Sequence, residues 1–141
     1  MKILVAVDGS LNSLRAVKFA VKLASDLRSK SSVTLINVHD HDPLNIIKKY
    51  IGSNPVKDYL IEIGKKELKS ALKILDHSQV KHSCIIELGH VSSTICKIAK
   101  SEKMDLIIMG AKGRSSATDI LLGSVSQRVS VISTLPVLLI K

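Results

Sequence analysis

Between residues 110 and 126, glycines and hydroxyls are spaced in a way that suits an anion. The stretch reads Gly-Ala-Lys-Gly-Arg-Ser-Ser-Ala-Thr-Asp-Ile-Leu-Leu-Gly-Ser-Val-Ser and follows the apolar run Leu106-Ile107-Ile108-Met109. A strand that feeds a glycine-bounded loop and then a helix presents backbone N–H groups to one point. The helix N-terminus adds about half a positive charge there. Gly110 and Gly113 would let the backbone approach a ribose or phosphate with no Cβ in the way. Gly123 brings the chain close to the phosphates. Ser124 offers an N–H and a hydroxyl, and Ser126 on the first helical turn could reach the same anion. The plainer duties of these residues are a tight turn for the glycines and a helix N-cap for Ser124. Lys112 and Arg114 flank Gly113 and can offset phosphate charge.

Asp8 closes the first apolar run and precedes Gly9. A carboxylate repels phosphate, so Asp8 suits a sugar hydroxyl, a base edge or a cation, with an Asp-Gly turn as its plain duty. His39-Asp40-His41-Asp42 has donors that can take Zn²⁺ or Mn²⁺, but a solvated loop is the favoured reading and no metal ligand is assigned. His90 follows Gly89 and is placed at a crevice rim without a ligand role. Catalytic constellations are missing. There is no Gly-x4-Gly-Lys-Ser/Thr run, no Gly-x-Ser-x-Gly elbow and no paired carboxylates. No residue is assigned to catalysis, and any hydrolysis of a bound triphosphate is expected to be slow.

These residues must be positioned by alternating elements. Strands are predicted at Ile3 to Val7, Val33 to Val38, His82 to Leu88, Leu106 to Met109 and Val137 to Ile140. Helices are predicted between them by apolar spacing of three and four. The first is capped by Ser10 and buries Leu14, Val17, Val21 and Ala24. The second has Pro55 in its first turn and buries Leu60, Ile63, Ala71, Leu72 and Leu75. Ser92 to Lys103 and Ser124 to Ser133 form the third and fourth. His39 to Asn54 reads as a loop, with a helical stretch near Leu44 to Tyr50. The alternation implies a parallel sheet with right-handed crossovers and helices on both faces, hence one reversal of winding. Ligands bind outside the carboxyl ends of the strands at such a reversal.

Composition narrows the classes. A length of 141 residues fits one domain, 1–141. Hydrophobic residues make up 45% and aromatics only 2%, so aliphatic side chains must fill the core. Few aromatics and no Trp argue against base-stacking platforms. The formal net charge of +9 comes from Lys and Arg spread over many segments, and reads as solvated helix faces rather than a nucleic-acid surface. Cys84 and Cys96 sit in apolar segments outside any Cys-x-x-Cys pair, and are expected to be buried free thiols. No leader or membrane-length run is evident. A cytoplasmic protein is expected.

The spacing Gly-x2-Gly-x9-Gly-Ser at Gly110, Gly113, Gly123 and Ser124 resembles the ATP-binding signature of the universal stress protein family. Val5-Ala6-Val7-Asp8-Gly9-Ser10, Asp105 to Gly110 and Pro136 to Ile140 extend the resemblance along the chain. It implies an adenine-nucleotide alpha hydrolase-like fold with strand order 3-2-1-4-5, which would bring Asp8 and Gly110 to one crevice. It implies Asp8 at the nucleoside end, Val38 backbone groups at adenine, and backbone groups of Val125 and Ser126 at phosphate. Arg114 matches the family's glycine-arginine pair. ATP with Mg²⁺ or Mn²⁺ is the implied ligand, and a regulatory role in stress response the implied function. The alternative is a nucleotide-independent interaction module of the same fold. Family members commonly dimerise through the last strand, here Val137 to Ile140. Two departures stand out. Val91 replaces a frequent proline and is expected to affect helix entry rather than the site, while Ser116 replaces a frequent glycine in the loop. Two substitutions follow as tests. Gly123→Asp should block phosphate and leave the fold intact, and Leu138→Lys should yield monomers.

Overall fold

Five short runs rich in Ile, Leu and Val pair side by side because their side chains can be buried on both faces of a sheet. The computed structural model describes residues 1–27, 30–40, 53–113 and 122–141. Among these, the order along the chain is β1 (Lys2–Ala6), α1 (Leu11–Asp26), β2 (Ser32–His39), α2 (Ser53–Asp76), β3 (Lys81–Leu88), α3 (Val91–Ser101), β4 (Leu106–Gly110), α4 (Ser124–Ile132) and β5 (Val137–Ile140). All neighbouring strands are parallel, in the order β3-β2-β1-β4-β5. The fold is the expected α/β sheet, and its winding reverses between β1 and β4. The helical stretch expected near Leu44 to Tyr50 lies outside the described residues.

Alternation along each strand divides the core in two. Ile3, Val5, Val33, Leu35 and Ile108 face α1 and α2, where they meet Ala16, Val17, Ala20, Leu68, Ala71 and Leu75. Leu4, Ile36, Ile107 and Met109 face α3 and α4 and meet Ile95, Ala99 and Val129. The central strands are therefore the driest. Ile3, Leu4, Val5, Ile107 and Ile108 are completely buried, each side chain stabilising the fold by about 1.5–3 kcal/mol.

Local chemistry starts and stops the helices. Ser10 caps α1, its side chain accepting the Ser13 amide at 3.2 Å. Leu14 and Val21 are only half-buried on the core face of α1, as is Leu72 on α2, and Ile63 is half-buried, whereas Leu68 is fully buried. The two thiols depart from expectation. Cys84 lies exposed on the edge strand β3, where burial is incomplete, and Cys96 is half-buried. No helix among the described residues is long and apolar enough to cross a membrane.

Candidate functional site

A cavity of about 470 Å³ opens at the carboxyl ends of β1 and β4, where the winding reverses. That volume lies within the range of small-molecule pockets. Asp8, Val38, Gly110, Gly113, Gly123, Ser124, Val125 and Ser126 all line it, as does Lys112. Arg114 and Ser116 lie outside the described residues.

The polar end of the cavity is built by close backbone approach. A Cβ on Gly123 would lie 3.2 Å from the Gly113 amide nitrogen and 3.4 Å from Lys112 Cα. The Gly123 amide donates to the Ala111 carbonyl at 2.8 Å, drawing the two ends of the loop together. Gly123→Asp would therefore shift this loop as well as add charge, contrary to the expectation from sequence. Gly110 carries a constraint beyond the one expected. A Cβ there would lie 2.9 Å from the backbone of Asn12, so the residue lets α1 dock on β4.

Gly123, rather than Ser124, occupies the N-cap of α4, and no side chain caps this helix. The first intrahelical bond runs from the Gln127 amide to the Gly123 carbonyl at 2.9 Å. The amides of Ser124, Val125 and Ser126 precede it, and they border the cavity without a partner among the described residues. Three N–H groups without a partner among the described residues, at the positive end of a helix, form a ready anion site. The Ser126 hydroxyl is not available as expected. It is buried and donates to the Gly110 carbonyl at 2.9 Å.

Asp8 sits next to this end. Its Oδ1 accepts the Ser10 amide at 3.0 Å and the Ser10 hydroxyl at 2.6 Å. Its Oδ2 points toward Gly113, whose added Cβ would be 3.1 Å away. One oxygen thus orders the loop and the cap of α1, while the other faces the glycine loop. Among the described residues no group of three or more His, Cys, Asp or Glu is placed to hold a metal ion.

The opposite end is apolar. Ile36 and Val38 of β2, Ala6 of β1, Met109 of β4, and Val91 and Ile95 of α3 wall it. Sequence reading missed all of these except Val38, although strand alternation signals Ile36 beside it. Val91 lines the cavity, which corrects the expectation that it affects only helix entry. A flat, weakly polar ring fits the apolar end, and an anionic group fits the amide end. His90 is the N-cap residue of α3 and does not line the cavity. His39 is not a loop residue. It ends β2 half-buried, with Nε2 3.3 Å from Glu67 Oε2.

Known proteins share the family and the fold of this chain. A sequence profile of the universal stress protein family matches residues 1–141. The chain is 32% identical over 148 residues to the universal stress protein YxiE of Bacillus subtilis, spanning 99% of this chain and 98% of that protein. Its fold matches MJ0577 of Methanocaldococcus jannaschii with a TM-score of 0.85 at 33% identity, covering 99% of this chain and 94% of that one. It also matches a universal stress protein of Archaeoglobus fulgidus solved in complex with dAMP. That TM-score is 0.71 at 26% identity, over 100% of this chain and 98% of that one.

Proposed function

The chain belongs to the universal stress protein family, and on that premise we propose that it binds an adenine nucleotide in the cavity between β1 and β4. ATP, accompanied by Mg²⁺ or Mn²⁺, is the ligand we favour, and regulation of a stress response in the cytoplasm is the role. The observation that carries the reading is the set of three amides at the start of α4 without a partner among the described residues, facing the same cavity as Asp8 and the apolar wall. The dAMP complex of the Archaeoglobus fulgidus relative supports the choice of an adenine nucleotide.

Each end of the cavity has a distinct task. Val38, Val91 and Ile95 bury the base. Asp8 Oδ2 accepts a ribose hydroxyl. The amides of Ser124, Val125 and Ser126 take the phosphates, with Gly113 allowing close approach of the chain, Lys112 offsetting their charge and Arg114 assigned the same task. Among the described residues none is assigned to activate water, and at most slow hydrolysis of ATP is part of the reading.

The test is thermal unfolding with and without Mg-ATP. Nucleotide at about 100 times Kd should add about 2.7 kcal/mol to stability. Ser124→Asp is the clean control. Ser124 is exposed at the first helical position, where a carboxylate favours the helix but repels phosphate. The variant should keep or slightly raise its Tm and lose the ATP shift. No shift in the wild type with millimolar ATP, ADP or AMP would instead favour a nucleotide-independent interaction module. An unchanged shift in Ser124→Asp would move the phosphates away from α4.

A further inference from the structure

The ladder between β1 and β2 stops short of the end of β2. The two strands are in register from Lys2 with Ser32 to Ala6 with Ile36, and the Val7 amide donates to the Ile36 carbonyl at 2.9 Å. Continued, the ladder would pair the Val38 amide with the Val7 carbonyl, and the Gly9 amide with the Val38 carbonyl. Neither bond is formed. A side chain takes the Val7 carbonyl instead. Asn37 Nδ2 donates to it at 2.8 Å, and to Glu67 Oε2 at 2.8 Å. Both partners are acceptors, which fixes the orientation of the amide. β2 continues past Val38 because its other edge pairs with β3 as far as His39 with Leu88. Val38 is left with an N–H and a C=O turned to the β1 side, where Ala6, Val7 and Val38 itself line the cavity. Asn37 is 1% exposed and does not line the cavity. Its Oδ1 is buried without a hydrogen-bond partner, and a Cβ on Gly64 of α2 would lie 2.7 Å from that oxygen. An unmet buried oxygen and a glycine inside a helix both cost stability, so packing does not account for this side chain.

We propose that Asn37 is a positioning residue that sets base specificity: by holding the Val7 carbonyl it keeps the Val38 N–H and C=O open for one edge of the base. This rests on the nucleotide reading above and narrows the ligand to a 6-aminopurine. The backbone of one strand residue offers a donor and an acceptor side by side. Adenine meets them with its N1 acceptor and its 6-amino donor. Hypoxanthine presents N1–H and a 6-oxo oxygen, which sets donor against donor and acceptor against acceptor. Buried polar groups left unpaired in this way reject a ligand far more strongly than a change of apolar shape does. Among the described residues the apolar wall is built from side chains such as Ile36, Val91, Ile95 and Met109, which cannot tell the two bases apart. The choice therefore falls to the Val38 backbone. Without an amide at position 37, the Val7 carbonyl would turn back to the Val38 N–H, and the ladder would close where the base edge belongs.

Amide hydrogen exchange in the nucleotide-free full chain tests the tie by itself. In wild type the Val38 amide should exchange at least about tenfold faster than those of Asn37 and His39, which face β3. Asn37→Ala should slow Val38 as the ladder closes, and Asn37→Leu, of similar shape, serves if the alanine variant does not fold. A Val38 amide as protected as its neighbours in wild type, or unchanged in the variant, overturns the proposal whether or not nucleotide binds. Competition between ATP and inosine triphosphate, each with Mg²⁺, tests the consequence, since the two differ only at the base edge. Wild type should prefer ATP by about tenfold or more, within the range for a paired base contact. The variant should lose most of that preference. A merely structural role of Asn37 would weaken both nucleotides alike and leave their ratio unchanged, a result that overturns the proposal. Binding of neither nucleotide by wild type would be a failure of the nucleotide reading, and the exchange rates would still decide whether Asn37 holds the ladder open.

Discussion

Ser126 and Gly110 are joined by one hydrogen bond that assigns their roles. The hydroxyl secures α4 to the end of β4, so the serine contributes its amide to the cavity and its side chain to the scaffold. Gly123 has a comparable double role, since a Cβ there would crowd the Gly113 amide nitrogen at 3.2 Å. The cysteines show the same dependence on place. Cys84 is exposed on β3, while Cys96 is half-buried on α3 and burial pushes its thiol up. A raised thiol holds less reactive thiolate at any given pH. Labelling at about pH 8 with an aromatic disulfide should therefore modify Cys84 first and Cys96 much more slowly. Mass spectrometry of the singly labelled protein would settle the order, and equal rates would contradict the burial argument.

At the level of elements, α3 stops at Ser101 without a glycine. The Met104 amide donates to the Ala99 carbonyl at 2.9 Å, and the Lys103 amide to the Lys100 carbonyl at 3.1 Å. These two bonds form a Schellman motif, completed by burial of Met104. The motif needs a left-handed residue, and Lys103 supplies it with φ of 53°. From sequence the helix reads on to Lys103, because a lysine there carries no stop signal. The left-handed conformation costs a residue with Cβ about 1–2 kcal/mol relative to the right-handed one. Lys103→Gly should therefore raise stability by about 1 kcal/mol and Tm by about 3–4 °C. Urea unfolding followed by circular dichroism checks this, and a loss of stability would show that the lysine side chain matters more than its backbone.

For the whole molecule, among the described residues β5 pairs with β4 alone and forms one edge of the sheet. Open edges invite pairing with another strand, and we propose that two copies join there. Leu138→Lys is a poor test. Leu138 and Ile140 pack on the core under α1, while Val137 and Leu139 pack on the core under α4, so a lysine would damage the fold before it reached the interface. Val131 is 74% exposed on α4, the helix leading into β5. Val131→Glu should leave the core intact and weaken self-association by roughly tenfold, about 1.4 kcal/mol. Sedimentation equilibrium of wild type and variant reads this out. A monomeric wild type at about 100 μM would exclude a dimer of ordinary strength.

Much of this protein was legible before any coordinates. Apolar runs of period two and helices of period 3.6 dictate an alternating α/β chain, because each face must be covered. The glycine spacing marks the amide end of the cavity, because close backbone approach excludes side chains. Other features are decided only in three dimensions. The glycine at 110 answers to Asn12, some hundred residues away along the chain, and the apolar wall draws on four elements. His39 reads as one of a solvated pair until β2 and α2 pack and set Glu67 against it. Spacing within a segment is a local property that sequence records. Contacts between segments depend on which faces the sheet brings together, and only the folded chain determines those.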